Sequence, residues 1–222
     1  MSAETRIVQI RENILKQNDL NARALRQRFQ KQKTFAVSMV SSPGAGKTSL
    51  LEHMLAELRK EWRVAALVGD LATENDARRL RRSGVEARQI LTGTVCHLEA
   101  SMVEQALSSL EDAAPDFLFI ENVGNLVCPA EFDIGEDSRV VVLSVTEGED
   151  KPVKYPLMFR ECEAALLNKI DLLPYLDFEK EKAVDYIHQV HPGMPVFEIS
   201  AKTEEGFEPW IDWLKNKIRQ KV

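Results

Sequence analysis

The glycine-rich segment SSPGAGKTS, residues 41–49, constrains the fold of this chain more than any other stretch. It lies between an apolar run of strand length and an amphipathic segment of helix length, which is the context of a phosphate-binding P-loop. The strict P-loop pattern begins with glycine, whereas this segment begins with Ser41. A fortuitous glycine-rich turn is the alternative, and the strand–loop–helix context disfavours it. The predicted phosphate and nucleotide contacts here are Pro43, Gly44, Ala45, Gly46, Lys47, Thr48 and Ser49.

Each residue type in this segment suits a phosphate ligand. Glycines let backbone N–H groups turn inward around the phosphate oxygens, and the following helix N-terminus adds partial positive charge. Lys47 would supply a point charge to the β- and γ-phosphates, and the Thr48 hydroxyl would hold Mg²⁺. The segment therefore predicts a nucleoside triphosphate as ligand.

The rest of the chain alternates between strands and helices. Apolar runs of strand length lie at 34–41, 64–69, 87–92, 116–122, 139–146, 164–169 and 195–200. Helical patterns begin at Lys47 and cover about 97–110, 177–190 and 206–220. Continuous apolar strands between helices predict an α/β fold, with a mainly parallel sheet covered by helices on both faces. We expect residues 34–222 to form one P-loop domain, preceded by a helical extension at 1–33 that breaks at Asn18-Asp19.

Composition excludes several classes of protein. The net charge of −6 disfavours nucleic acid as the main partner. No apolar run approaches the roughly 20 residues needed to span a membrane, and the first residues are polar, unlike a signal peptide. Three cysteines, an odd number without scaffold spacing, favour a reducing compartment, so we expect a cytoplasmic protein.

Two segments near the C-terminus predict which base is bound. LLNKIDLL places Asn168, Lys169 and Asp171 at the end of a strand, as in the guanine-specificity motif of GTPases. Guanine presents two adjacent donors that a carboxylate can accept together, and adenine has no matching pair. Asn168 to Asp171 could alone be a solvated loop, because Asn and Asp are common in turns. The later segment ISAKT would support the base from the other side through Ser200, Ala201 and Lys202.

Acidic residues follow two other predicted strands. Asp70 ends the second strand, where ligands of parallel sheets gather, so it could hold Mg²⁺ or position the attacking water. Glu121 and Gly124 follow the strand at 116–122, and a glycine N–H there could sense a γ-phosphate. We predict Thr48, Asp70 and Glu121 as Mg²⁺ ligands, and Lys47, Asp70 and Glu121 as catalytic residues.

The segment after Asp70 leaves two interpretations open. Asp76 is a weaker Mg²⁺ candidate, because it can simply belong to the first turn of a helix. The basic run RRLRR at 78–82 would be an arginine finger or, as charge runs usually are, a solvated helix face. Because no arginine finger in the same chain is evident, we expect slow intrinsic GTP hydrolysis.

Cys96 and His97 are adjacent, and Cys128 lies four residues after Gly124. Thiolate and imidazole form a strong donor set for Zn²⁺ that Ni²⁺ also accepts. Adjacent residues do not easily ligate one ion, so they could face different ions or bridge a two-fold axis. Packing is the usual reason for a buried free cysteine, and we assign Cys162 to the core. A catalytic Cys–His couple would need an orienting group that the sequence does not show.

The segments SPGAGKT, GDLAT, VCHL, IENVGNLVCPAEFD, EGEDKPVKYP, NKIDLL and ISAKT together resemble HypB, the family of hydrogenase nickel-incorporation GTPases. The resemblance covers about residues 34–222. It implies the SIMIBI class of P-loop GTPases, GTP or GDP with Mg²⁺ as ligands, dimerisation on GTP binding, and nickel delivery to hydrogenase with a HypA-type partner. The family's Ni²⁺ or Zn²⁺ site corresponds to Cys96, His97 and Cys128.

The resemblance also implies a contact between subunits. The segment KPVKYP matches a family segment in which a lysine, here Lys151 or Lys154, reaches the nucleotide of the other subunit. Many family members carry an N-terminal Cys-rich motif or a His-rich stretch for nickel. This sequence shows neither, so the resemblance implies only the metal site of the GTPase domain.

Two other functions remain open from the sequence. A urease-type nickel GTPase would be expected to carry Cys-Pro-His, whereas Cys96 and His97 are directly joined here. A signalling or scaffold GTPase would use the same cysteines to hold structural zinc. Metal transfer to a partner separates structural zinc from delivered metal. For a hydrogenase maturation GTPase, the recipient would be a hydrogenase large-subunit precursor.

Overall fold

The computed structural model describes residues 3–71, 74–110 and 114–221, with side chains from Val8 onward. One seven-stranded sheet forms the centre of the molecule, in the order β3-β2-β4-β1-β5-β6-β7. Every neighbouring pair in this sheet is parallel, as the continuous apolar runs predict. The strands are β1 Phe35–Ser41, β2 Val64–Asp70, β3 Glu86–Leu91, β4 Phe117–Glu121, β5 Ser138–Ser144, β6 Ala164–Asn168 and β7 Val196–Ile199.

Helices cover both faces of the sheet and complete the three-layer α/β fold. They are α1 Ala3–Gln32, α2 Lys47–Leu58, α3 Asn75–Arg81, α4 Ala100–Leu107, α5 Lys151–Lys154, α6 Pro156–Arg160, α7 Lys180–Val190 and α8 Phe207–Lys221. Short 3₁₀ turns lie at Cys128–Ala130 and Ile170–Tyr175. Within the described part of the chain, no helix combines the length and the apolar character needed to cross a membrane.

Alternation along the strands divides the core between the two faces. Phe117 and Phe119 of β4 point to the face covered by α2, α3 and α8, where Trp210 is also buried. Leu118 and Ile120 point to the opposite face, where α1 and α4 pack. Burying each such side chain contributes roughly 1.5–3 kcal/mol, so the strands are firmly held and their ends form a rigid platform.

Helix α1 is continuous, so the predicted break at Asn18-Asp19 is wrong. Asparagine usually weakens a helix interior because its amide competes for the local backbone. Here the Asn18 amide instead bonds to two distant backbone groups, the N–H of Ala100 and the carbonyl of Asp133. The competing interaction is therefore satisfied outside the helix.

The sequence pattern predicted that a helix would begin near His97. In the structure, helix α4 begins at Ala100 instead. Glu99 immediately before it is extended, with φ −105° and ψ 155°. Cys96 and His97 consequently lie in an irregular segment between β3 and α4, where neighbouring side chains need not follow helical spacing.

Candidate nucleotide and metal sites

The loop between β1 and α2 has the backbone conformation of a phosphate cradle. Gly44 and Gly46 have φ values of +75° and +99°, a region that side chains other than glycine rarely adopt. A Cβ on Gly46 would also lie 2.5 Å from Asn168 Nδ2. Glycine is thus required at Gly46 for two separate reasons. Helix α2 begins at Lys47, directly after this turn, and directs its N-terminus toward the loop.

Ser41, which replaces the usual first glycine, has a partner of its own. Its hydroxyl accepts a hydrogen bond of 2.8 Å from Lys47 Nζ and donates one of 2.6 Å to the Ser42 carbonyl. The departure from the strict pattern therefore keeps the lysine folded onto its own loop. Lys47 is 7% exposed, and this burial lowers the pKa of its ammonium group, although the nearby Glu121 carboxylate opposes that shift.

Glu121 ends β4 beside Thr48. The Thr48 hydroxyl donates a 2.9 Å hydrogen bond to Glu121 Oε1, while Oε2 has no hydrogen-bond partner among the described residues. Burial raises the pKa of this carboxyl to about 7. A buried, unpartnered carboxylate oxygen beside a hydroxyl fits a Mg²⁺ ion, which prefers oxygen ligands. Thr48 and Glu121 are thus placed together, as predicted for Mg²⁺ ligands.

A cavity of about 410 Å³ opens above these groups, and we call it the phosphate cavity. Asp70, at the carboxyl end of β2, lies in its wall, as does Asp76 at the start of α3. The remaining lining comes from the β1–α2 loop, the start of α2, Gly69, Leu71, Arg79 and residues 121–124. The strand order explains this convergence, because β4 lies between β1 and β2 and their carboxyl ends meet.

Residues 122–127, which we call the sensor loop, lie directly against the phosphate loop. A Cβ on Gly124 would come within 2.8 Å of Pro43 Cα, so only glycine permits this approach. An added phosphate at the cavity would therefore meet the sensor loop and the phosphate loop together. Gly124 thus lies against the phosphate loop, and its role as a γ-phosphate sensor stays a prediction.

A second cavity of about 480 Å³, which we call the base cavity, adjoins the first. Asn168 joins its two sides, because its Nδ2 donates to the Ala45 carbonyl at 2.8 Å and its Oδ1 accepts from the Ala201 N–H at 3.2 Å. Asp171 is held by the Ser200 hydroxyl, 2.6 Å from Oδ1. These contacts place a carboxylate in the cavity wall with its orientation fixed.

Lys169 and Lys202 complete the base cavity. Lys169 has φ +65°, a left-handed conformation that is unfavourable for lysine and found mainly where the surroundings enforce it. Its Nζ donates to the Gly44 carbonyl at 2.7 Å, so the side chain spans from the base segment to the phosphate loop. The Lys202 backbone N–H donates to Ser200 Oγ at 3.2 Å, which fixes the turn after β7.

Arg79 belongs to the basic run RRLRR, for which the sequence favoured a solvated helix face over an arginine finger. Its Nη2 lies 2.9 Å from Ser49 Oγ and 2.6 Å from Glu52 Oε2, so this arginine does not belong to a simple solvated face. Arg79 borders both the phosphate cavity and the base cavity. The available signal was its spacing of three residues from Asp76, which puts both side chains on one helix face.

The three metal-ligand candidates come together in one group, the metal cluster. Cys96 Sγ lies 3.1 Å from Cys128 Sγ, and one donor atom from each of Cys96, His97 and Cys128 lies within 4.8 Å of the others. Cys96 and His97, which the sequence left open to face different ions or to bridge a two-fold axis, thus present donor atoms to the same place as Cys128. Their segment is not helical, so adjacent side chains can turn to the same side.

The surroundings of the His97 ring favour metal binding through a ring nitrogen. The ring packs on Phe132 with ring centroids 3.9 Å apart and ring planes tilted by 30°, and both ring nitrogens lack a hydrogen-bond partner among the described residues. Burial lowers the pKa of this imidazole, which favours the neutral, ligating form. Hydrogen bonding to Cys96 raises the pKa of the Cys128 thiol. Two thiols and a neutral imidazole fit a borderline-soft cation such as Zn²⁺ or Ni²⁺.

Two asparagines connect the sensor loop to the metal cluster. Asn122 Oδ1 accepts from the Leu98 N–H at 3.1 Å and from the Val123 N–H at 2.9 Å. Asn125 Nδ2 donates to the Cys96 carbonyl at 3.2 Å. The backbone on both sides of His97 is therefore fastened to the loop that carries Gly124. Neither asparagine was singled out from sequence, because both partners are more than 20 positions away.

The remaining predicted residues lie in places that bear on their proposed roles. Lys151 Nζ is 3.4 Å from Ser42 Oγ and 3.5 Å from Glu147 Oε2, so within one chain it lies against its own phosphate loop. Lys154 pairs with Asp150 at the surface. Cys162 is 1% exposed in the core, as predicted, and burial raises the pKa of its thiol.

Comparisons with known proteins agree with this geometry. The sequence model of the family described as CobW/HypB/UreG, nucleotide-binding domain, matches residues 35–198. Hydrogenase maturation factor HypB of Azotobacter vinelandii is 48% identical over 215 residues, which are 97% of this chain and 71% of that protein.

Solved structures extend the comparison to the fold. HypB from Helicobacter pylori, solved in complex with nickel, has a TM-score of 0.87 at 40% identity, over 92% of this chain and 96% of that one. The signal recognition particle 54 kDa protein of Aeropyrum pernix K1, in complex with GDP, has a TM-score of 0.57 over 84% of this chain and 49% of that one. Its 13% identity shows the P-loop GTPase fold alone. The family model and the relatives at this level of identity agree, and the chain belongs to the HypB family of hydrogenase maturation factors.

Proposed function

We propose that this protein is a GTP-hydrolysing nickel chaperone that assists nickel insertion into [NiFe]-hydrogenase, and that nickel is its cargo. One observation carries the proposal. The three donor atoms of the metal cluster lie within 4.8 Å of one another, and hydrogen bonds from Asn122 and Asn125 tie their backbone to the loop that packs on the phosphate cradle. Metal and nucleotide would thus act on one element.

The phosphate cavity supplies the groups that phosphoryl transfer requires. Backbone N–H groups of residues 44–48 and the Lys47 ammonium would neutralise the β- and γ-phosphates. The buried position of Lys47 strengthens this interaction, because little water competes with the phosphate. Asp70, in the wall of this cavity, would orient the attacking water. Thr48 and Glu121, with Asp70, would hold Mg²⁺, which when bound would offset the charge that develops on the phosphate oxygens.

Guanine selectivity rests on the Asp171 carboxylate, which Ser200 holds in place. Guanine N1–H and N2–H would both donate to it, whereas adenine would leave this acceptor without matching donors. We expect GTP to bind far more tightly than ATP, and Asp171→Asn to erode that preference, because an amide places a donor opposite a donor. Equal affinities for ATP and GTP in the unmodified protein would overturn this assignment.

Coupling between the sites follows from the sensor loop. A γ-phosphate that draws Gly124 inward would shift Asn122 and Asn125, and with them the segment of Cys96 and His97. Metal affinity would then differ between the GDP and GTP states, and by linkage metal would change nucleotide affinity by the same factor. Couplings of this kind are usually about 5- to 150-fold.

The partners also belong to the proposal. The metal cluster offers three donors in one chain, so a fourth would come from a second copy, a partner or water. We infer a homodimer that forms on GTP binding, in which Lys151 or Lys154 reaches the nucleotide of the other subunit. A HypA-type chaperone would supply nickel and a hydrogenase large-subunit precursor would receive it, in the cytoplasm. The names of the relatives, as hydrogenase maturation factors, support this setting.

The decisive experiment titrates Ni²⁺ and Zn²⁺ into protein loaded with GDP or with a non-hydrolysable GTP analogue, and follows the oligomeric state in parallel. Different metal affinities in the two states, together with nickel transfer to a recipient protein, would support the chaperone function. Identical affinities and identical oligomeric states in both forms would reject the coupling. Metal that stays bound in both states and is never transferred would favour structural zinc instead.

A further inference from the structure

Asn18 is a buried polar residue in the middle of α1 that the nucleotide site does not use. It is 4% exposed, and both ends of its amide are engaged outside the helix. Oδ1 accepts from the Ala100 N–H at 2.9 Å, and Nδ2 donates to the Asp133 carbonyl at 2.7 Å. A buried amide with both bonds made is well oriented, because each bond fixes one side of the group.

The two partners of Asn18 lie on the two segments that carry the metal ligands. Ala100 is the first residue of α4 and follows His97 by three positions. Asp133 follows the short 3₁₀ turn that begins at Cys128. We call residues 95–100 the Cys-His arm and residues 128–133 the Cys128 arm. One side chain therefore spans the two arms.

Other contacts from α1 and β5 hold the Cys128 arm to the body of the protein. On α1, Arg11 bonds to Glu131 at 2.7 Å and Arg26 bonds to the Asp133 carboxylate at 2.7 Å. From β5, the buried Arg139 donates to the carbonyls of Pro129 at 3.1 Å and Phe132 at 2.9 Å. These arginines fix one arm, whereas Asn18 joins that arm to the other.

We propose that Asn18 is a positioning residue for the metal cluster, setting the separation between its Cys-His arm and its Cys128 arm. The proposal rests on the metal site proposed above. Metal–ligand distances tolerate only about 0.2 Å, so a small displacement of one arm weakens the ligand set. Residues that orient metal ligands without touching the ion commonly change affinity by about 10- to 100-fold. α1 thereby becomes part of the metal site although it supplies no ligand.

Asn18→Leu tests this role, because leucine has a similar volume and keeps neither hydrogen bond. We expect about a 10-fold loss of Zn²⁺ and Ni²⁺ affinity in the GDP-loaded protein. Asn18→Asp keeps an acceptor for the Ala100 N–H at a helix N-terminus, where a carboxylate is favourable, but loses the donor to Asp133. Its affinity should fall between those of wild type and Asn18→Leu.

Phe29→Leu is the matched control, since the Phe29 side chain is buried in the same helix within an apolar cluster. It should lower the thermal midpoint of unfolding and leave metal affinity unchanged. Absorption of bound Co²⁺ adds a readout of ligand geometry that a general loss of stability would not alter. Asn18→Leu should change that spectrum, and Phe29→Leu should not. GDP affinity should remain at the wild-type value in all three variants.

Two results would overturn the inference. One is wild-type metal affinity and an unchanged Co²⁺ spectrum in Asn18→Leu. The other is a loss of metal affinity in Phe29→Leu as large as in Asn18→Leu, which would reduce Asn18 to a packing role. Failure of the metal site itself gives a different pattern, because Cys96→Ser and Cys128→Ser would then bind Zn²⁺ and Ni²⁺ as tightly as the wild type.

Discussion

The phosphate cavity and the metal cluster are joined by a few residues of the sensor loop, but their side chains differ in charge. The phosphate cavity buries two ionisable groups, Lys47 and Glu121. Burial lowers the pKa of Lys47 and raises the pKa of Glu121, so it favours the neutral form of each. The metal cluster contains two thiols and a histidine whose pKa is lowered by burial. A bound phosphate or Mg²⁺ would therefore favour the charged forms of Lys47 and Glu121 in the phosphate cavity. A cation bound at the metal cluster would instead displace protons from its thiols.

The difference also concerns completeness. One chain supplies the loop, the lysine, the hydroxyl and the carboxylates around the phosphate cavity. The metal cluster has three donors, and it depends on hydrogen bonds from Asn122, Asn125 and Asn18 to hold its backbone. The phosphate cavity is therefore tested by removing its charged side chains. The metal cluster is tested by removing its metal-binding side chains or the asparagines that position them.

Lys47→Ala should give the largest effect, because it removes a buried charge from the place where the β- and γ-phosphates bind. We expect GTP turnover to fall by roughly 10²–10³-fold, the size of losing one preorganised electrostatic contact. Single-turnover hydrolysis measures this loss. The control is Lys60→Ala, which removes an exposed lysine two residues after the end of α2. Near-normal turnover in a folded Lys47→Ala protein would show that the phosphate cavity is not the site of GTP hydrolysis.

Glu121 predicts how the stability of the nucleotide-free protein depends on pH. Its pKa in the folded state is about 7, above the ordinary value of 4.5, so the folded protein holds this proton more tightly than the unfolded chain. Stability should therefore fall as pH rises from about 4.5 to about 7, by an amount on the order of 3 kcal/mol from this group. Glu121→Gln should remove that part of the slope in urea unfolding.

The control for this prediction is Glu205→Gln, which removes an exposed carboxylate outside the cavity. It should leave the pH dependence of the wild type in place. A Glu121→Gln protein with the same pH dependence as Glu205→Gln would show that Glu121 ionises normally in the fold. Burial would then not perturb the ionisable groups of the phosphate cavity, and the two sites would not differ in this respect.

Cys128→Ala removes one of three donors, and metal affinity should fall by roughly 100-fold. Equilibrium dialysis against Zn²⁺ and Ni²⁺ measures this loss, and GDP affinity should be retained. Cys162→Ala is the matched control, since it also removes one thiol but from the core. Metal binding of wild-type strength in a Cys96→Ala/Cys128→Ala protein would show that the cluster is not the metal site.

Asn125→Ala should give the smallest effect and the sharpest test of the connection between the sites. It removes the hydrogen bond to the Cys96 carbonyl while leaving the phosphate loop and all three donors in place. We expect the ratio of metal affinities between the GTP and GDP states to fall by about fivefold, with GTP hydrolysis little changed. A ratio equal to that of the wild type would place the coupling elsewhere.

The sequence predicted the parts of these sites that are local in the chain. The turn at residues 43–48 and the Asn168–Asp171 segment are each recognisable from a short motif that follows a strand, even though Asn168 and Asp171 also bond to distant residues. The Cys-Cys-His group was identified as well, but its convergence could not be derived, because it depends on the irregular path before α4. The partners of Arg79 and Asn18 could not be predicted, because they are set by the packing of helices on the sheet.

The burial of Cys162 has a practical consequence for chemical labelling. The chain contains three cysteines, and this one is 1% exposed with a thiol pKa raised by burial, so in the native state it should resist alkylation. A fluorescent maleimide or a fluorinated tag would then attach at Cys96 or Cys128 alone. The rate at which Cys96 and Cys128 are labelled can thus be measured in the native sequence. Slower labelling after addition of metal or nucleotide would report protection of these thiols, and no substitution of Cys162 is needed.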